Sequence, residues 1–322
     1  MQMNDSQSAL HIPLWLTVAL VFLLTGRTII FYKDQSTLSK SNGIRWHELS
    51  ALSMTEANSQ PKLVLYSFTA DWSRPCKLME RTTYLNREII SLINQNFFAI
   101  KIIDKIDKKT QVTVTDKFAL QMENKYDIFN LPQLIVTLPS GKKVDDRSAY
   151  LSISSLKDFL GECEIKALYT KGLTYLADGK YSQAAQSFDS WLKQSNANSY
   201  YISNGYLYCA LAYKMASEDK KAMDILSLAL EKCYKIQDDK VTKSIIDFLM
   251  GRINEDQLIQ QMESEPFNLA KARYFTGMMK LKNGNVKAGK IDFQFILEKH
   301  ASYSDTDFLA NGQLKLIELK SR

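Results

Sequence analysis

The sequence predicts three parts in order: a transmembrane helix, an α/β domain and an all-α helical-repeat domain. Three observations lead there. The fifteen residues "IPLWLTVALVFLLTG", Ile12 to Gly26, carry no charge. From Trp46 to about residue 164, apolar runs of strand type alternate with stretches of helical spacing. From residue 165 onward only helical spacing occurs, with small and aromatic residues at recurring offsets. The boundaries that follow are 1–33 for the anchor, 34–45 for a linker, 46–164 for the α/β domain and 165–322 for the repeats.

Bulk properties allow this division. A chain of 322 residues suits roughly two domains of ~150 residues. It is 45% hydrophobic and 24% charged, as an ordinary globular protein is. The net charge of +6 is mild, and Lys and Arg occur singly or in pairs such as Lys108-Lys109, Lys142-Lys143 and Lys220-Lys221. A nucleic-acid interface would concentrate them among aromatics, so none is expected. Cys76, Cys163, Cys209 and Cys233 share no metal-ligand spacing, and His11, His47 and His300 stand alone. A zinc-type site needs clustered ligands, so neither metal nor other cofactor is expected. Cys163, Cys209 and Cys233 read as small buried residues on helices.

The uncharged segment alone spans roughly 22 Å as a helix, and its continuation through Arg27 to Tyr32 reaches roughly 31 Å, enough for a bilayer core. Arg27 can snorkel, and Trp15 with Phe31-Tyr32 sit at interfacial depth. Residues 1–11 lack the basic n-region of a cleaved signal peptide, and "LTGRTI" is a poor cleavage site. Residues 12–32 therefore read as an uncleaved single-pass anchor in the lipid bilayer, and "DQSTLSKSNGIR" (34–45) as a polar tether.

The α/β domain reads as helix–strand–helix–strand–helix–strand–strand–helix. "WHELSALSMTEANS" has helical spacing, "KLVLYSF" (62–68) is a strand, and "CKLMERTTYLNREIISLINQNF" is helical. "FFAIKII" (97–103) is a second strand and "TVTDKFALQMENKY" a helix. A loop with Leu131-Pro132 leads to a strand at Gln133–Leu138, a Ser140-Gly141 turn and a strand from Lys142. "SISSLKDFLGECE" closes as a helix with Ser152 or Ser154 as N-cap.

The order of elements, with "ADWSRPCKLME" after the first central strand and "YDIFNLPQLIV" downstream, resembles the thioredoxin superfamily. It is most similar to the C-terminal domain of the bacterial transmembrane thiol–disulfide interchange protein. There an Ala-Asp-Trp run precedes a C-x-x-C pair and a Lys-x-x-Glu run follows; here these are Ala70-Asp71-Trp72 and Lys77 to Glu80. In the family the first cysteine sits at a helix N-terminus, where the helix dipole favours its thiolate, and it attacks the substrate disulfide; the second, more shielded, resolves the mixed disulfide. Here the attacker is replaced by Ser73 and only the resolver, Cys76, is kept. The family's buried carboxylate, six residues before the first cysteine, corresponds to Ser67. Pro132 after Leu131 matches the family's cis-proline, whose turn pairs with extended substrate peptide. The resemblance thus implies peptide docking at Trp72, Arg74, Pro75, Leu131 and Pro132 with no autonomous dithiol turnover. Cys76 is left as a handle for mixed disulfides. The plainer alternative is that Pro132 shapes a loop and Ser73 caps a helix.

In the C-terminal part, Leu168, Gly172, Tyr175, Gly179, Tyr181, Ala184, Phe188 and Leu192 fall at the offsets of a tetratricopeptide repeat. Tyr206, Ala210, Tyr213, Ala222, Leu226 and Leu230 repeat them with Ser217 at the turn, and Gly277, Gly284, Gly289, Phe293 and Leu297 do so again with Lys280 in the aromatic place. A degenerate pair surrounds Gly251. Such repeats imply protein binding on a concave face. The tyrosines at 200, 201, 206, 208 and 213 read mostly as repeat core, with one or two free to line that face.

The combination looks like the chaperedoxins, soluble holdases that bind unfolding clients. The expected function is a membrane-anchored protein-interaction module of chaperone or assembly-factor type, with protein clients or a membrane complex as partners. The rival is a thiol–disulfide oxidoreductase pairing Cys76 with a thiol from a partner or, less favourably placed, Cys163. A bacterial inner membrane is the expected location. The resemblance puts the soluble domains in the periplasm. The charge asymmetry, Asp5 before the span and Arg27, Lys33, Lys40 and Arg45 after it, argues for the cytoplasm.

Overall fold

A computed structural model describes residues 43–106, 113–114, 117–195, 201–236, 240–299 and 305–321. The expected anchor, residues 12–32, lies outside the described residues. Among the described residues no helix is long and apolar enough to cross a membrane.

The first unit is a thioredoxin-like α/β layer structure. Its elements are β1 (Trp46–Glu48), α1 (Ala51–Ser59), β2 (Leu63–Ala70), α2 (Arg74–Arg81), a 3-10 turn (Thr83–Leu85), α3 (Arg87–Asn96), β3 (Phe97–Ile106), β4 (Thr113–Val114), α4 (Lys117–Tyr126), β5 (Gln133–Thr137) and β6 (Lys143–Ser148). The strand order is β1-β3-β2-β5-β6, with β4 as a short partner of β3. β1 and β2 run parallel to β3, while β5 is antiparallel to β2 and β6 to β5.

Side-chain alternation along β2 makes two cores. Leu63 and Leu65 join Met79, Ile89, Ile93, Leu134 and Val136 on one face. Val64, Tyr66 and Phe68 join Ala57, Ile100, Met122 and Ile135 on the other. All eight residues of β2 are buried, as befits a central strand covered on both sides.

Three helical readings need correction. Residues 46–48 form an edge strand, because Trp46 pairs with Ala99 and its ring packs edge-on against Tyr84 at 5.1 Å. The helix begins after Ser50, which caps it through a capping box with Ser53. The stretch from Cys76 to Phe97 is broken in the middle: the Thr82 hydroxyl donates to the Leu78 carbonyl and that of Thr83 to the Leu151 carbonyl, and Asn86 caps a new helix through the amides of Glu88 and Ile89. Thr113 and Val114 pair with β3 in place of helix, and α4 is described from Lys117.

The second unit is helical: α5 (Ile153–Ala177), α6 (Tyr181–Gln194), α7 (Ile202–Met215), α8 (Asp219–Ile236), α9 (Lys240–Leu249), α10 (Glu255–Met262), α11 (Pro266–Lys282), α12 (Val286–Lys299) and α13 (Asp305–Lys320). Helix α5 begins at Ser152, whose hydroxyl accepts from the Ser155 amide. It runs unbroken for 25 residues through positions 164 and 165. Leu156, Phe159, Leu160, Cys163 and Ala167 belong to a core of the sheet, and Tyr169, Leu173, Leu176 and Ala177 to the core of the helices.

Four helix pairs share one turn. The amides of Lys180, Glu218, Arg252 and Asn285 each donate to the carbonyl five residues back. The residue before each has positive φ: Gly179 (71°), Ser217 (62°), Gly251 (75°) and Gly284 (79°). Close packing repeats too. A Cβ on Gly172 would stand 2.7 Å from the Phe188 ring, and one on Gly277 would stand 2.8 Å from Phe293.

The concave face is not open. Helices α5, α7, α11 and α13 contact one another in a closed cycle. The Gln313 amide of α13 donates to the Leu176 carbonyl at 2.7 Å, and Tyr181 donates to Gln313 at 3.3 Å. Inside, Tyr208 stacks on Phe275 at 5.9 Å and meets Tyr274 edge-on. Tyr206, Tyr208 and Tyr213 are thus buried core. Tyr201 is 49% exposed, and Tyr200 lies outside the described residues.

Two substitutions test this packing by denaturant unfolding. Ser217→Gly should stabilise by about 0.5–1 kcal/mol, the left-handed cost relieved less the chain entropy that glycine adds. Gly172→Ala should destabilise by about 1–3 kcal/mol, because its methyl must displace the Phe188 ring.

Candidate functional site

The ends of neighbouring strands build the site. β2 finishes at Ala70, and Asp71 and Trp72 carry the chain to Ser73, the N-cap of α2. β5 starts at Gln133, opposite Phe68 of β2. The Leu131–Pro132 bond, which is cis, therefore lies beside the end of β2 from which the motif departs. Its turn is pinned from the far side, where the Ala149 amide donates to the Pro132 carbonyl at 2.9 Å.

Ser73 sits where an attacking thiol would, and its hydroxyl accepts from the Cys76 amide at 3.5 Å. Pro75 occupies the first turn of α2, where no amide donor is needed. Ser73 is 6% exposed and Cys76 1%. The surface of the motif is instead Trp72, Arg74 and Pro75, all exposed. A sulfur so enclosed meets another disulfide only if the chain around it moves.

Ser67 is fully buried, and its hydroxyl shares a 2.9 Å hydrogen bond with the Tyr84 hydroxyl. A neutral pair thus fills the position at which the resemblance leads one to expect an acid. Burial pushes the Tyr84 phenol well above its ordinary range; the bond to Ser67 opposes this, and the charges of Glu80 and Cys76 add to it. Neither hydroxyl is a proton acceptor of carboxylate strength near neutral pH. Tyr84 carries no sequence signal of this role, since it is one tyrosine in a stretch read as helix.

Trp72 and Leu131 line one cleft of about 400 Å³ together with Asp104, Glu123, Ile128, Phe129 and Asn130. Trp72 is 47% exposed and Phe129 83%. The cleft adds Asp104, Glu123 and Phe129 to the residues singled out from the sequence. Phe129 could have been noticed as an aromatic in the polar loop two residues before the Leu-Pro pair. Glu123, a helix residue, could not. A larger cleft of about 500 Å³ lies between the two units, lined by Lys142, Asp145, Lys166, Tyr169, Trp191 and Asp305 among others, and no residue of the Ser73 motif reaches it. The smaller cleft is the functional candidate, because it joins the motif to the cis-proline loop.

Cys163 lies in a core beneath the sheet, and burial pushes its thiol well above the ordinary range. Cys209 is likewise enclosed by the helices and shifted the same way. Cys76, Cys163 and Cys209 are all free thiols, and Cys76 and Cys163 belong to different surroundings.

Comparison with known proteins concerns the first unit. A family model described as Thioredox_DsbH, a protein of unknown function (DUF255), matches residues 34–127, under a third of the chain. Among solved structures, one titled "DsbH Oxidoreductase" is 13% identical over 38% of this chain and 85% of its own, with a TM-score of 0.32. A thioredoxin from Thermus thermophilus is 12% identical over 38% of this chain and 89% of its own, with a TM-score of 0.32. Trxlp from Edwardsiella tarda is 23% identical over 36% and 97%, with a TM-score of 0.27. No curated protein matches.

Two outcomes follow from the geometry. Peptide-level mass spectrometry after alkylation should find Cys76 unlabelled in the native protein and fully labelled in denaturant. Insulin reduction should stay at background for the wild type and rise above it for Ser73→Cys, which restores an attacking thiol at the helix N-terminus.

Proposed function

We propose that this chain is a protein-docking module that holds extended polypeptide against Trp72 and the Leu131–Pro132 turn, without autonomous dithiol turnover. One observation carries the reading: the motif presents an exposed indole on a cleft shared with the cis-proline loop, while Ser73 and Cys76 are both enclosed. The thioredoxin-like matches fit a thiol–disulfide ancestry, and the substitution at Ser73 removes the group that such chemistry needs first. On this reading the tetratricopeptide-like helices serve as the rigid mount of the docking unit. Their inner face is already filled by Tyr208, Tyr274 and Phe275. Client holding of chaperone or assembly-factor type is the activity that such a docking unit would serve.

A second reading keeps redox chemistry: Cys76 exchanges with a thiol or disulfide brought by a partner. The DsbH-type family match favours it, and the burial of Cys76 opposes it. We also infer that residues 12–32 tether the module to a bilayer, from their length and lack of charge outside Arg27. Carbonate extraction of membranes tests this, and release of the chain into the soluble fraction would refute it.

Acid-quenched, alkylated cells run without reductant separate the two readings. Docking expects no high-mass adduct dependent on Cys76, and it expects suppression of the aggregation of a heat-unfolding client by wild type and Cys76→Ala alike. Trp72→Ala should weaken that suppression by about tenfold, the scale of one lost aromatic anchor. Adducts that vanish in Cys76→Ala would establish the exchange reading instead.

A further inference from the structure

The cleft beside Ser73 has a chemical bias. Two of its walls are aromatic and exposed, Trp72 and Phe129. Two others are the carboxylates of Asp104 and Glu123. Ile128 and Leu131 add aliphatic surface. We propose that this cleft takes a lysine or arginine side chain of the docked polypeptide, its methylenes on the apolar residues and its cation between the rings and the acids.

This rests on the docking reading above and specifies its client. An aromatic face attracts a cation through its quadrupole, and a carboxylate accepts the cation's N–H groups. The two acids also repel each other: burial lifts the carboxyl of Glu123 above its usual range, and the charge of Asp104 adds to the lift. A cation beside Glu123 favours its ionised form, whereas an apolar or acidic side chain does not. The backbone of α4 keeps Glu123 in place, since the Ile128 amide donates to the Glu123 carbonyl at 3.0 Å. The same residue then fixes both the acid and the start of the loop that carries Phe129.

The test uses the full chain in detergent micelles and fluorescein-labelled acetyl-Gly-Ser-X-Ser-Gly-amide, read by anisotropy, with X as arginine or norleucine. The arginine peptide should bind about tenfold more tightly than the norleucine peptide. In Glu123→Gln, with the fold checked by circular dichroism, the ratio should fall to about twofold. Equal binding of both peptides by the wild type would overturn the cation preference and leave docking standing. Binding of neither would overturn docking and the preference with it. An unchanged ratio in Glu123→Gln would place the selection elsewhere and overturn the assignment. Free arginine amide binding as tightly as the peptide would make this a small-cation site, against a polypeptide client.

Discussion

From Leu156 to Ala167 helix α5 faces the sheet, and from Tyr169 to Ala177 it faces the helical pairs, with no interruption between. At 1.5 Å per residue the rod is roughly 37 Å long, and one core of the sheet and the core of the helices are packed against it. The sheet needs it, because Leu65, Leu134 and Val136 share its core with Leu156, Phe159 and Leu160. The helical unit needs it as well, because α6 and α13 pack on its second half. A flexible linker would let the two units tumble independently. A shared helix cannot bend without exposing one of the cores, so the cleft at Trp72 is held in a fixed relation to the helical pairs.

Much of this was legible from residue pattern. The apolar runs "KLVLYSF" and "FFAIKII" mark two strands to within three residues of their observed limits, and the glycine and aromatic offsets mark the turns of the helical unit. Trp46 and His47 were read as helical because edge pairing with β3 is a tertiary fact, invisible to local periodicity. The break at Thr82 and Thr83 was missed for a similar reason, since the Thr83 hydroxyl finds its partner 68 residues away at Leu151. The continuity of α5 is hidden in the sequence because two patterns serving different cores meet inside one helix. Of the site, the motif and the cis-proline were legible, but the acids of the cleft come from β3 and α4 and are brought there only by the fold.

The site also shows what one substitution leaves intact. Serine is a good helix cap, so exchanging the attacking thiol for a hydroxyl keeps the turn, the helix start and the exposed tryptophan. The Ser67–Tyr84 pair avoids an unneeded charge in the core beside Cys76.

Helix α13 closes the helical unit by returning to α5, and the bond between Gln313 and Leu176 spans 137 residues. Stacked repeats that touch only their neighbours can grow from any point, each unit settling on the last. Here most contacts still join helices adjacent in sequence, but the cycle is complete only when its two ends meet. A nascent chain that has not yet released α13 would hold an open, sticky flank of aromatic residues.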